Sequence, residues 1–170
     1  CSLLTLSITS CEKDLLEKEQ YQKEIYLIGA YNRVWTTEVS YSNEEVKTYF
    51  TVSSSGTLAL DRDVNVKMKI NEELVDIYNK KYWTVLNEDK YYKSLDTDLY
   101  SIPSLENTVI KHAEGISAEV PVLIKTASLK IDQSYVIPVE IESTTGYPIS
   151  ESGYKMLILL KLKNDYSGSY

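Results

Sequence analysis

The sequence predicts a mostly β protein, an antiparallel β-sandwich with one short helix near residues 72–82. Three observations carry that expectation. Apolar and polar residues alternate with period two through most of the chain after Tyr26, turn-forming clusters separate the alternating segments, and a single stretch switches to helical spacing. With 170 residues, the chain has the length of one domain and can bury a core without disulfide staples.

Taken in order, residues 24–30 form the first strand candidate. Val46, Thr48, Phe50 and Val52 then alternate with Lys47, Tyr49 and Thr51, and Val64, Val66, Met68 and Ile70 with Asn65, Lys67 and Lys69. Each reads as a half-buried strand. The helix follows: Asn71 is a good N-cap, Glu72 and Glu73 stand in the first turn, and Lys80 and Lys81 in the last. Leu74, Ile77, Tyr78 and Tyr82 fall at i, i+3, i+4 and i+8, which predicts one face docked on the sandwich. Residues 83–107 keep no period and read as a long excursion.

Residues 108–111 are a short strand candidate, and Ala118, Val120, Val122 and Ile124 a longer one, with Leu123 breaking the pattern. Tyr135 stands at the entry of the strand through Ile137, Val139 and Ile141, where a tyrosine hydroxyl often bonds upstream backbone. Residues 156–160 are apolar at every position, which predicts a strand covered on both faces. Gly56, Gly115, Gly146 and Gly153 mark turns. Pro121 and Pro138 fall mid-strand on the outward phase. Lacking an N–H, they are expected at an edge or a bulge.

The N-terminus differs from the rest. Leu3, Leu4, Leu6 and Ile8 form an uncharged apolar run, too short to span a bilayer but of signal-peptide length. The junction Ile8-Thr9-Ser10-Cys11 resembles a bacterial lipobox, which implies a lipidated Cys11 as the first mature residue. The other reading is an ordinary thiol, or a pair with Cys1. On the lipobox reading, residues 1–10 are a signal-peptide remnant and 11–23 a charged tether. Residues 24–164 form the sandwich, and 165–170 a tail or the start of a linker. The acidic cluster behind Cys11 is similar to the surface-export signal of lipoproteins from the Bacteroidota.

Three further segments carry a family resemblance: Asp63-Val64-Asn65-Val66 leading to Leu74-Val75-Asp76-Ile77-Tyr78-Asn79; Asn107-Thr108-Val109-Ile110 through Gly115 to Ala118-Glu119-Val120-Pro121-Val122; and Ser134-Tyr135-Val136-Ile137-Pro138-Val139-Glu140-Ile141. In that order they resemble the uncharacterised N-terminal domain of Bacteroidota surface lipoproteins, found beside glycan-degrading and glycan-binding modules. The resemblance implies an immunoglobulin-like β-sandwich, lipid-anchored at the outer membrane and exposed at the surface, with outer-membrane glycan-uptake proteins as partners. It assigns no catalytic residue.

Composition narrows the chemistry. A net charge of −7 argues against a nucleic-acid partner, because phosphate neutralisation needs surplus Lys and Arg. One His and two Cys exclude a zinc site built from several such ligands, and no metal or cofactor is expected. His112 sits between Lys111 and Ala113 near a turn, a poor setting for a general base. Asp61-x-Asp63-x-Asn65 imitates the opening of a calcium loop but lacks its Gly and distal Glu. Asp96 and Asp98 read as solvated loop carboxylates rather than a glycosidase pair.

The aromatics are more informative. Fifteen Tyr and two Trp stand against one Phe, so nearly every ring carries a polar handle. Tyr31, Trp35 and Tyr41 make one aromatic cluster, and Trp83 with Tyr82, Tyr91, Tyr92 and Tyr100 another, both outside the clearest strands; Tyr31, Trp35, Tyr41, Trp83, Tyr91, Tyr92 and Tyr100 are the candidate glycan contacts. Sugar rings stack their C–H faces on such planes while neighbouring polar groups take the hydroxyls. The alternative is that these rings cap the sandwich or face a neighbouring domain. The expected function is a non-enzymatic, lipid-anchored surface domain for glycan capture or adhesion, with polysaccharide as ligand or the domain acting as spacer. The alternatives are a subunit of a pilus-like surface assembly and a glycoside hydrolase.

Overall fold

The computed structural model describes residues 22–56 and 58–163; Cys11, the tether up to residue 21 and the tail from residue 164 lie outside the described residues. In chain order the elements are β1 (Ile25–Leu27), β2 (Val34–Ser40), β3 (Glu45–Ser54), β4 (Val64–Ile70), α1 (Glu73–Tyr82), β5 (Lys93–Ser94), β6 (Tyr100–Ser101), β7 (Thr108–Ile110), β8 (Ser117–Lys125), β9 (Tyr135–Thr144) and β10 (Lys155–Lys163). One sheet runs β1-β3-β8-β6; the other runs β2-β10-β9-β4-β7, with β5 also paired to β9. The protein is a β-sandwich, as the alternation predicted.

The alternating positions meet in the middle. Phe50, Val52, Val120, Val122 and Ile124 project from one sheet onto Met68, Ile137, Val139, Met156 and Ile158 of the other, all essentially without solvent contact. Intervening Lys47, Tyr49, Lys67 and Lys69 point to water. Burying a side chain of this size contributes about 1.5–3 kcal/mol relative to exposure, so this facing set dominates the fold's stability.

Two pairings are parallel where the sequence led us to expect antiparallel ones throughout: β2 with β10, and β5 with β9. The first follows from a sheet switch that leaves no mark in the alternation of the sequence. β1 lies in the first sheet, and a single 3-10 turn, Ala30–Asn32, carries the chain to β2 in the second. Gly29 (φ 89°) and Arg33 (φ 64°) bracket that turn, both left-handed. β2 escapes period-two detection because, as an edge strand, it leaves Trp35 and Thr36 both exposed.

The helix adds a third layer over one patch of the second sheet. Leu74 and Val75 bury against Val136 of β9 and Leu157 of β10, flanked by Val34, Tyr78, Tyr92 and Leu159. This explains the unbroken apolar run of β10: Met156, Ile158 and Leu160 face the sandwich core, while Leu157 and Leu159 face the helix. The helix presents Leu74, Val75, Tyr78 and Asn79 to the sheet. Ile77 and Tyr82, expected on that face, are 54% and 49% exposed. The docked stripe is rotated because Val75 and Asn79 share it. Asn71 does cap the helix, its Oδ1 accepting the Glu73 N–H at 3.2 Å.

The two prolines part company. Pro121 lies opposite Tyr49 on a stretch of β8 that β6 leaves uncovered, since β6 pairs only with Leu123 and Ile124. Pro138 is instead buried in an interior strand, correcting the edge expectation. It is tolerated for a local reason. Opposite it, Leu157 sends its N–H to the Arg33 carbonyl and not to β9. On the other edge of β9, β4 pairs only from Val139 on and β5 only at Tyr135 and Val136. No ladder bond there requires the missing donor. Tyr135 makes the upstream bond its position predicted, its hydroxyl accepting the Lys130 N–H at 3.4 Å.

Candidate functional site: an aromatic groove beside the helix

Where α1 meets the sheet-switch turn and the start of β10, the surface opens into a groove of about 440 Å³. Leu74 and Ile77 of the helix, with Met156 and Leu157 of β10, give it an apolar floor. Tyr78 and Tyr82 come from successive turns of α1, their ring centroids 4.5 Å apart. Tyr31 stands on the sheet-switch turn, 87% exposed, and Tyr154 precedes β10. Four tyrosines thus border one concavity, an arrangement of apolar walls and placed hydroxyls suited to a small polar ligand.

The wall behind Tyr78 is built. Tyr92 stacks on it at 5.2 Å with planes 10° apart, and burial together with Tyr92 pushes the Tyr78 hydroxyl up to about 12. At neutral pH that hydroxyl remains protonated and able to donate.

Charge at the groove has one predominant sign. Arg33, Lys81 and Lys155 line it, against Glu151. The Lys81 Nζ lies 5.3 Å from the Tyr82 ring centroid and the Lys155 Nζ 4.9 Å from that of Tyr154. Both distances place an ammonium over an aromatic face.

The sequence-selected aromatics are dispersed. Tyr31 reaches the groove. Trp35 lies on β2, packed over Gly29, and Tyr41 follows the far end of the same strand, about 20 Å along it, where its hydroxyl donates to the Ala127 carbonyl at 2.6 Å. Trp83 follows the helix C-terminus with the Lys90 Nζ 5.7 Å from its ring centroid, and its Nε1 is buried with no partner among the described residues. The Tyr91 carbonyl accepts from Gln133, Tyr92 backs Tyr78, and Tyr100 packs on the sandwich core with its hydroxyl pushed up to about 12 by burial. Tyr82, grouped with Trp83 in the sequence, also lines the groove, whereas Tyr78 and Tyr154 were the rings that residue patterns did not single out for binding. The i, i+4 spacing of Tyr78 and Tyr82 was a usable clue, absorbed into the docking face.

The remaining candidates make local bonds. His112 Nδ1 lies 2.6 Å from Asp63 Oδ1, with both side chains about half exposed. The Asp63 carboxyl is held below its usual range by that contact and by the His112 backbone N–H. Asp61 pairs with Arg62 at 2.8 Å and also takes the Tyr147 hydroxyl. Asp96 caps a short 3-10 turn, and its carboxylate accepts the Asp98 N–H at 3.5 Å.

Fold and groove together define a helix-backed β-sandwich domain with a solvent-open aromatic site. Residues 21–148 match the model of a family described as an N-terminal domain ("-like, N-terminal domain"), and the chain belongs to that family. Its fold is similar to that of a Bacteroides ovatus protein of unknown function, at TM-score 0.71 and 20% identity, over 88% of this chain and 49% of that one. It is similar to an auxiliary nutrient binding protein of Bacteroides thetaiotaomicron, at TM-score 0.63 and 18% identity, over 82% of this chain and 47% of that one. It is also similar to EndoBT-3987 of Bacteroides thetaiotaomicron with a Man5GlcNAc product, at TM-score 0.57 and 20% identity, over 81% of this chain and 30% of that one. At such identities the likeness is one of fold, and the chain spans about half or less of each of these structures. No curated protein matches it.

Proposed function

We propose that this chain is a non-enzymatic, lipid-anchored cell-surface domain that takes part in glycan capture, with the α1 groove as its contact site. The observation that carries the reading is the convergence of Tyr31, Tyr78, Tyr82 and Tyr154 on one open groove. Tyrosine faces stack on sugar C–H faces, and their hydroxyls serve sugar hydroxyls. The glycan setting is supported by fold relatives that include a nutrient binding protein and a structure with a Man5GlcNAc product. The anchor is supported by the apolar run ending in Ile8-Thr9-Ser10-Cys11. Several acyl chains on Cys11 hold a protein at an outer membrane stably, where one chain does so only marginally. Outer-membrane glycan-uptake proteins are the partners this reading implies.

A glycan array of the full chain against Tyr82→Ala and Tyr31→Ala tests the reading. Signals lost in both variants support it, and a silent array overturns it. Palmitate labelling in a Bacteroides host, compared with Cys11→Ala, tests the anchor, and equal labelling of the two would overturn it.

A further inference from the structure

We propose that the groove selects an acidic saccharide, one whose carboxylate or sulfate meets Arg33, Lys81 and Lys155 while its ring lies on the tyrosines. The inference rests on the glycan reading and adds a ligand class to it. The chain carries a net −7, yet three cations line this groove against one carboxylate, that of Glu151. An uncompensated positive cluster in an acidic protein focuses field at a concavity and draws anions to it.

Several cations elsewhere are neutralised by a carboxylate, although Lys47, Lys93 and Lys125 on the sheets have none among the described residues. Lys67 bonds Glu142 at 2.7 Å, Lys111 bonds Glu114 at 2.8 Å, and Lys161 and Lys163 share Glu38. Among the described residues no carboxylate lies in ion-pair range of Arg33, Lys81 or Lys155. Lys81 also complements the helix dipole, but its neighbour Lys80 does so without lining the groove.

The placement suits one molecule presenting both a ring and an anion. The Lys81 and Lys155 ammoniums each cover one face of the Tyr82 and Tyr154 rings, so a positive head sits at each ring of the groove. A pyranose lying against the uncovered face or edge of such a ring has an ammonium within reach of its exocyclic anion. The Arg33 fork, with donors matched to a two-oxygen anion, lines the same groove.

Calorimetry of the full chain with tetragalacturonate, a sulfated carrageenan tetrasaccharide and neutral mannotetraose separates the outcomes. One acidic probe, or both, should bind about tenfold or more tightly than mannotetraose, because a charge-assisted bond is at stake. Whichever binds identifies carboxylate or sulfate as the recognised group. That binding should weaken as salt screens it and should fall about tenfold in Arg33→Gln or Lys155→Gln. Mannotetraose binding as tightly as the acidic probes, or an unaffected Arg33→Gln, overturns the selection and leaves the glycan reading standing. A silent array removes both.

Discussion

The side-chain amide of Asn79 embraces the backbone of Tyr92: its Nδ2 donates to the Tyr92 carbonyl at 2.9 Å and its Oδ1 accepts the Tyr92 N–H at 3.0 Å. Asn79 is 5% exposed, so neither bond has water as a ready substitute. The pair ties the helix to the excursion after it, and with that it fixes the Tyr92 ring against Tyr78. The groove's aromatic wall is therefore held by a polar lock behind it.

Asn79→Ala strands both backbone groups of Tyr92. Leaving buried polar groups unpaired costs about 1–3 kcal/mol each, less whatever water recovers, so a total loss of about 2–4 kcal/mol is expected. Denaturant unfolding measures it. Asn79→Asp, which turns a carboxylate oxygen onto the Tyr92 carbonyl in a buried position, should cost at least as much as alanine at neutral pH. A shift below half a kilocalorie in Asn79→Ala would show that the excursion docks without the lock.

Gly29 carries a second dependence. It is left-handed at φ 89°, and a Cβ built there would lie 2.6 Å from Trp35 Cε3. Gly29→Ala is expected to cost about 2–3 kcal/mol, of which the left-handed conformation accounts for about 1–2. The remainder is the clash, and a double-mutant cycle isolates it: in a Trp35→Ala background the alanine should cost only the conformational part. Equal costs in both backgrounds would remove Trp35 from the account.

Alkaline pH should weaken the fold through its partly buried phenols. The Tyr100 hydroxyl, held among apolar neighbours and near the Glu72 charge, is pushed up to about 12. In the unfolded chain a tyrosine loses its proton near pH 10. Between those values the native state holds more protons than the unfolded one, so stability is fully present below about pH 10 and declines as pH rises toward 12. Tyr78 adds to the same slope. Melting temperatures across that range should fall more gently in Tyr100→Phe. An identical slope in the variant would assign the decline to other groups.

How much of this was legible depended on where each signal lived. Strands β3, β4, β8 and β9 show in the alternation because one face of each meets the core. The helix-covered strand β10 shows in its unbroken apolar run. Strand β2 does not show, because its partner is the distant β10 and its own side chains straddle an open edge. The groove was hidden for a similar reason. It joins Tyr31 to Tyr154 across more than a hundred residues, and only the sheet switch at Gly29 and Arg33 brings them to one end. Tyr78 and Tyr82 lay within the helical pattern, but whether such a ring packs inward or fronts a cavity depends on the helix rotation, which Val75 and Asn79 set.

Arg33 is the point where stability and binding should pull apart. It occupies the left-handed region at φ 64°, which costs a residue with a Cβ about 1–2 kcal/mol and glycine almost nothing. Its backbone is nonetheless required there, since the Arg33 carbonyl accepts the Leu157 N–H at 2.8 Å and its N–H bonds the Ala30 carbonyl at 2.8 Å. Its side chain has no hydrogen-bond or ion-pair partner among the described residues and lines the groove. Arg33→Gly keeps both backbone bonds, relieves the strain and removes the guanidinium. After allowing for the extra freedom glycine gains in the unfolded chain, the variant should be more stable by about 0.5–1 kcal/mol. The same protein should bind acidic saccharide more weakly than wild type. Stability and affinity measured on one preparation decide the matter. A destabilised variant would mean the arginine side chain supports the fold, and unchanged affinity would mean the strain at residue 33 serves only the sheet switch.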